Sequence, residues 1–115
     1  MFETDEQKTE DQKTVDELRE KFPNAKHIHK LTAPTGEAVW VRRPDMGTYR
    51  RFRTHIQDER RKLDAPENLL KACLLQPTPK EFDLMLEDRP GLLDTFANEL
   101  MVVAGLAKEV EKKAF

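Results

Sequence analysis

Seven prolines, at 23, 34, 44, 66, 77, 79 and 90, cut the middle of this chain into short segments. Proline fixes φ and has no N–H to donate, so it opens or closes an element far more readily than it sits inside one. A chain punctuated in this way folds as several short elements around a shared core, and the apolar positions between the prolines say which.

Thr14-Val15-Asp16-Glu17 has the capping-box pattern, in which a hydroxyl accepts the N–H three residues on and the Glu reaches back. It predicts a helix with Val15, Leu18 and Phe22 facing inward that stops at Pro23. Residues 1–13 are, after the first two, Glu, Asp, Gln, Lys and Thr. They bury too little apolar surface to offset the entropy of ordering, so a disordered acidic tail is expected there, with a single folded domain over 14–115.

Lys26 to Thr32 and Ala38 to Arg43 flank Ala33-Pro34-Thr35-Gly36-Glu37, a turn in which Pro34 pre-sets φ and Gly36 supplies the left-handed residue. If Ala33 pairs with Glu37, Leu31 faces Val39 and His29 faces Val41. Leu31, Val39 and Val41 then form an inner face, with Ile28, Lys30, Trp40 and Arg42 outside. Tryptophan is enriched at binding hot spots. Trp40 is therefore either an exposed contact or, if the hairpin turns the other way, part of the core. Pro44 ends the second strand.

Asp45 is placed to cap a helix running to about Lys62, with Met46, Tyr49, Phe52 and Ile56 on one face. Asp64-Ala65-Pro66-Glu67 opens the next, whose stripe is Leu69, Leu70, Cys73 and Leu74. Thr78-Pro79-Lys80-Glu81 opens another, with Phe82, Met85 and Leu86 apolar. After Pro90-Gly91 comes the last helix, where Leu93, Phe96, Leu100, Val103, Ala107 and Val110 form a coiled-coil-like seam. Two heptads are too few to stand alone, so this seam packs on the domain or on a partner, a second copy included. The expected fold is α+β, mostly helical, with one β-hairpin packed against about five helices.

At 115 residues, with hydrophobic and charged residues at 37% each, the chain supports one modest core. A single cysteine, Cys73, forms no intrachain disulfide. The acidic start lacks the basic and apolar runs of a signal peptide, and no apolar run reaches membrane-span length. A cytoplasmic protein is expected. The net charge of −2 conceals a division: residues 1–20 carry −5, residues 21–62 carry +7, and residues 63–115 carry −4. The middle block is expected to present a basic face.

Catalytic patterns are weak. His27 and His29 share a strand face, but a zinc site takes three or four protein ligands, and His55 and Cys73 fall on separate helices. Cys73 lies in a leucine stripe, where burial raises a thiol pKa. Asp58-Glu59 and Glu87-Asp88 lie beside arginines at helix ends, and the four glycines form no phosphate cradle. No enzyme, cofactor or metal is expected. Arg42, Arg43, Arg50, Arg51 and Arg53 form the one strong charge cluster, which is either a solvated face or a phosphate-binding one.

From Val39 onward the layout resembles the small tail assembly chaperones of tailed bacteriophages and prophages. The matching features are Val39-Trp40-Val41-Arg42-Arg43-Pro44, then Tyr49 and Phe52, and Leu69 to Leu75 with Pro77. Phe82, Met85-Leu86, Pro90 and Ala104-Gly105 complete a pattern that spans about residues 26–107. The resemblance implies a noncatalytic protein of the bacterial host cytoplasm that binds the long helical tape measure protein until tail tube subunits assemble around it. It also implies a longer frameshifted product, for which codons of Lys112-Lys113 would supply the slippery stretch. Contacts with a client helix are expected from Trp40, Leu93, Phe96, Leu100 and Val103, in the helix-in-groove mode. A small nucleic-acid-binding regulator using the arginines and a structural phage component are the alternatives.

Overall fold

The computed structural model of the chain describes residues 5–105 and 114. Five helices and three strands follow one another as α1 (Asp5–Lys21), β1 (Ile28–Thr32), β2 (Ala38–Arg42), α2 (Met46–Gln57), α3 (Ala65–Cys73), β3 (Leu74–Gln76), α4 (Pro79–Asp88) and α5 (Leu92–Val103). The fold class is α+β, as the alternation of short helical and extended patterns implied.

The hairpin has the expected register. Leu31 pairs with Val39 and His29 with Val41. Ala33 N–H donates to Glu37 O at 2.7 Å, and Gly36 takes φ +101°, a conformation that favours glycine. β3 adds to β2, giving a three-stranded antiparallel sheet in the order β1-β2-β3 with an irregularity between Trp40 and Val41. This strand was not anticipated: Leu74 and Leu75 read as the end of the preceding helix. Leu74 instead turns extended, and the chain passes through a cis Gln76-Pro77 bond.

One sheet face carries the main core. Leu31, Val39 and Val41 meet Phe52 of α2, Leu69, Leu70 and Cys73 of α3, Phe82 of α4, and Leu92, Phe96 and Leu100 of α5. α3 is the hub, in contact with α2, α5 and β2. Phe82 and Phe96 are fully buried. Burying each such side chain contributes about 1.5–3 kcal/mol.

The other face explains Trp40. It does lie outside the hairpin's inner face, yet it is only 8% exposed. Lys30 Nζ sits 5.7 Å from its ring centroid and pairs with Asp11 of α1 at 3.0 Å, while Leu18 of α1 is buried away from the main core. α1 thus covers the outer face. The expectation of a disordered 1–13 segment is corrected over the described part, since α1 begins at Asp5. Thr14 is no cap; its hydroxyl donates to Glu10 O within the helix. Side-chain pairs such as Gln12 with Asp16, and the anchor on Lys30, hold a helix that has little apolar surface of its own.

Two helix ends also differ from expectation. α2 stops at Gln57 rather than near Lys62, because Asp58 accepts the N–H of Arg60 with its carboxylate and those of Arg61 and Lys62 with its carbonyl. Its buried face is Thr48 and Phe52, which leaves Met46 and Ile56 exposed. α5 ends at Val103, followed by Gly105 at φ +98°, and the expected seam residues Ala107 and Val110 lie outside the described residues. The capping box of α4 forms as read, with Thr78 and Glu81 bonded reciprocally.

Phe82 is the fully buried residue of α4, so Phe82→Ala is expected to cost about 3–5 kcal/mol of unfolding free energy, read as a lower urea midpoint at unchanged slope. A loss below about 1 kcal/mol would mean that α4 is not integral to the core.

Candidate functional site

Three separated stretches of sequence meet at one end of the sheet. Pro23 stops α1, and Ala25 N–H folds back to Phe22 O at 3.0 Å, which turns the chain into β1. β2 ends at Arg42, Arg43 N–H reaches His27 O at 2.8 Å, and Pro44 hands the chain to α2. α3 arrives from below with Ala72 and passes into Leu74 and Leu75.

Between them runs a groove of about 480 Å³ with an apolar floor of Phe22, Pro23, Ala25, Ala72, Leu74 and Leu75, bordered by Lys21, Asn24, Arg42 and Asp45. It continues into a cleft of about 220 Å³ formed by Lys26, His27, Arg43 and Pro44 with the shared Asn24, Arg42 and Asp45. Phe22 was expected to face inward. It is 38% exposed and stands at the rim. A smaller hollow of about 120 Å³ between α2 and α3 includes Thr48, Arg51, His55, Asn68 and the same Ala72.

The groove's corner is organised around Thr48, the one buried polar side chain among the described residues. Asp45 caps α2 by accepting Thr48 N–H at 2.7 Å, and its other carboxylate oxygen lies 3.8 Å from Arg42. Arg42 and Arg51 both donate to the Thr48 hydroxyl, at 3.2 and 3.4 Å. The Thr48 backbone N–H and then its hydroxyl hold the Asp45 carboxyl below its ordinary value, and the charges of Arg42 and Arg51 act in the same direction. Arg43 donates to His29 Nε2 at 3.3 Å. Burial, with the charges of Arg43 and His27, pushes the His29 pKa down and favours the neutral ring that accepts this bond.

The candidate residues separate in space. Of the expected client contacts, Phe96 and Leu100 are fully buried and Trp40 nearly so, while Leu93 and Val103 are half-buried against the same core. Over the described residues α5 therefore spends its seam on this domain, and the expected contact set is corrected; at the groove, Phe22 is exposed and Leu74 and Leu75 are half-buried. The arginines do not form one face. Successive helix residues turn by about 100°, so Arg51 and Arg53 flank opposite sides of Phe52 and Arg50 points nearly away from it. Only Arg42, Arg43 and Arg51 border the groove and the hollow beside it. His27 and His29 gain no third ligand, for no group of three metal-binding side chains occurs among the described residues. Cys73 is buried, and burial pushes its thiol pKa up. No helix of the described residues is long and apolar enough to cross a membrane.

The fold and groove define a small α+β domain with an open cleft of mixed apolar and basic lining. The chain belongs to the DUF6848 family, a domain of unknown function, whose model matches residues 18–113. Most of α1 precedes that match. No curated protein matches the sequence significantly. The chain is similar in structure to an uncharacterised protein, RBSTP2171, of Bacillus stearothermophilus: TM-score 0.64 at 22% identity, over 86% of this chain and 99% of that one. At that identity the likeness concerns the fold alone.

Asp45 supplies a test of the corner. A carboxylate whose folded pKa is depressed stabilises the fold above its unfolded value and loses that contribution as pH falls through the folded one. Wild-type stability should therefore fall on acidification below about pH 3.8 in part through Asp45. Asp45→Asn keeps a capping side chain but removes the titration, so its acid-limb slope should be shallower. Identical slopes would show that the bonds to Thr48 do not depend on the charge.

Proposed function

We propose that this protein is a noncatalytic assembly chaperone of the phage-tail type, which binds a helical client such as a tape measure protein in the host cytoplasm. The observation that carries this reading is the groove, where Phe22, Leu74 and Leu75 present apolar surface at the rim and floor of an open cleft. A groove of this kind accepts the apolar side of an amphipathic helix. The resemblance from Val39 to Gly105 points to the same class of client. The contact residues in this reading are those of the groove, in place of the α5 seam.

The alternative of a nucleic-acid-binding regulator draws less support from the geometry, because Arg50 and Arg53 diverge from Arg42, Arg43 and Arg51. A continuous basic strip is what a phosphate backbone would need.

Co-expression with the long helical tail protein encoded in the same genome tests the proposal. The client should become soluble and co-purify, and the chaperone should be missing from purified virions. An insoluble client with no co-purification would sink the reading, whereas retention in virions would assign the chain to the structural components.

A further inference from the structure

We infer that the groove selects a client helix by charge, taking an acidic amphipathic helix of the partner protein; this rests on reading the groove as the client site. Its apolar floor runs beside an uncompensated row of cations. Lys21 and Lys26 make no ion pair among the described residues, and Arg43 donates only to the neutral His29 ring. Asp45 is the one acid of the groove and cleft, and its carboxylate is already engaged by Thr48 and Arg42.

An occupant without charge would cover these cations and leave them poorly solvated, which is costly. A nucleic-acid backbone would satisfy them but would lay phosphates over Phe22, Leu74 and Leu75. A helix with leucine-like residues on one flank and carboxylates on the other satisfies both sides of the groove at once. Strand addition is a poor substitute here, since β3 offers only three residues before Pro77 removes the next donor.

Two further observations agree. Lys21, Lys26, Arg42 and Arg43, set against the single acid Asp45, give the lining of the groove and cleft a net positive charge that attracts an acidic partner. The chain also docks its own acidic helix in a similar manner, with Asp11 of α1 on Lys30 beside the Trp40 ring.

The test uses the full chain and two fluorescein-labelled helical peptides with the same leucine spacing, one bearing Glu at the polar positions and the other Lys. By anisotropy at low salt the Glu peptide should bind at least about tenfold more tightly, and its affinity should fall as salt is added. The double variant Lys26→Glu with Arg43→Glu, both exposed and outside the core, should lower that affinity about tenfold or more, and Phe22→Ala should weaken both peptides together. Equal binding of the two peptides, no binding of either, or tighter binding of a labelled DNA duplex would each overturn the inference. Client rescue in co-expression separates the two levels. Rescue that persists undiminished in the double variant overturns charge selection and leaves the chaperone reading standing. Selective Glu-peptide binding without rescue of the tail protein supports charge selection and rejects that client.

Discussion

Strand β2 is the constraint on which the rest of the molecule depends, because it is buried from both sides. Val39 and Val41 are fully enclosed by the helical core, and Trp40 between them is closed off on the opposite face. A strand enclosed in this way requires a layer on each side of the sheet. α3 and α5 form one layer and α1 the other, so the N-terminal helix is part of the architecture although it has almost no apolar stripe. The end of β2 is fixed as a result, and with it the position of Arg42, Arg43 and the Asp45 cap at the mouth of the groove.

The polar corner at Thr48 matters for orientation more than for strength. Exposed ion pairs such as Arg42 with Asp45 contribute little to stability. What the arrangement does is hold two guanidinium groups on one buried hydroxyl and tie down the only carboxylate nearby. The basic rim is left with its charge largely unopposed, next to the half-buried side chains of Leu74 and Leu75. Apolar floor and cationic edge are therefore products of one junction, where α1 stops, β2 ends and α3 becomes β3.

Much of the scaffold was legible in the sequence because its signals are local. The hairpin register follows from the Ala33–Glu37 turn and the alternation around Val39, and the capping box at Thr78 needs only four residues. Other features depend on tertiary context. α1 is nearly all polar, and its helix is supported by Lys30, which is distant in sequence. Asp58 ends α2 early because its carboxylate takes a turn N–H, a competition that apolar periodicity does not register. Leu74 and Leu75 continue a leucine run that is helical in pattern, and only the free side of β2 makes them a strand. The seam of α5 was correctly apolar, but spacing alone does not say whether a stripe meets its own domain or another chain. The groove was hidden for a related reason: Phe22, Arg42 and Leu75 become neighbours only in the fold.

The placement of Trp40 has a practical corollary. It is the chain's sole indole, nearly buried beside the ammonium of Lys30, which is paired to Asp11 of α1. Its emission colour therefore reports, without any label, whether the N-terminal helix is seated on the sheet or has lifted into water.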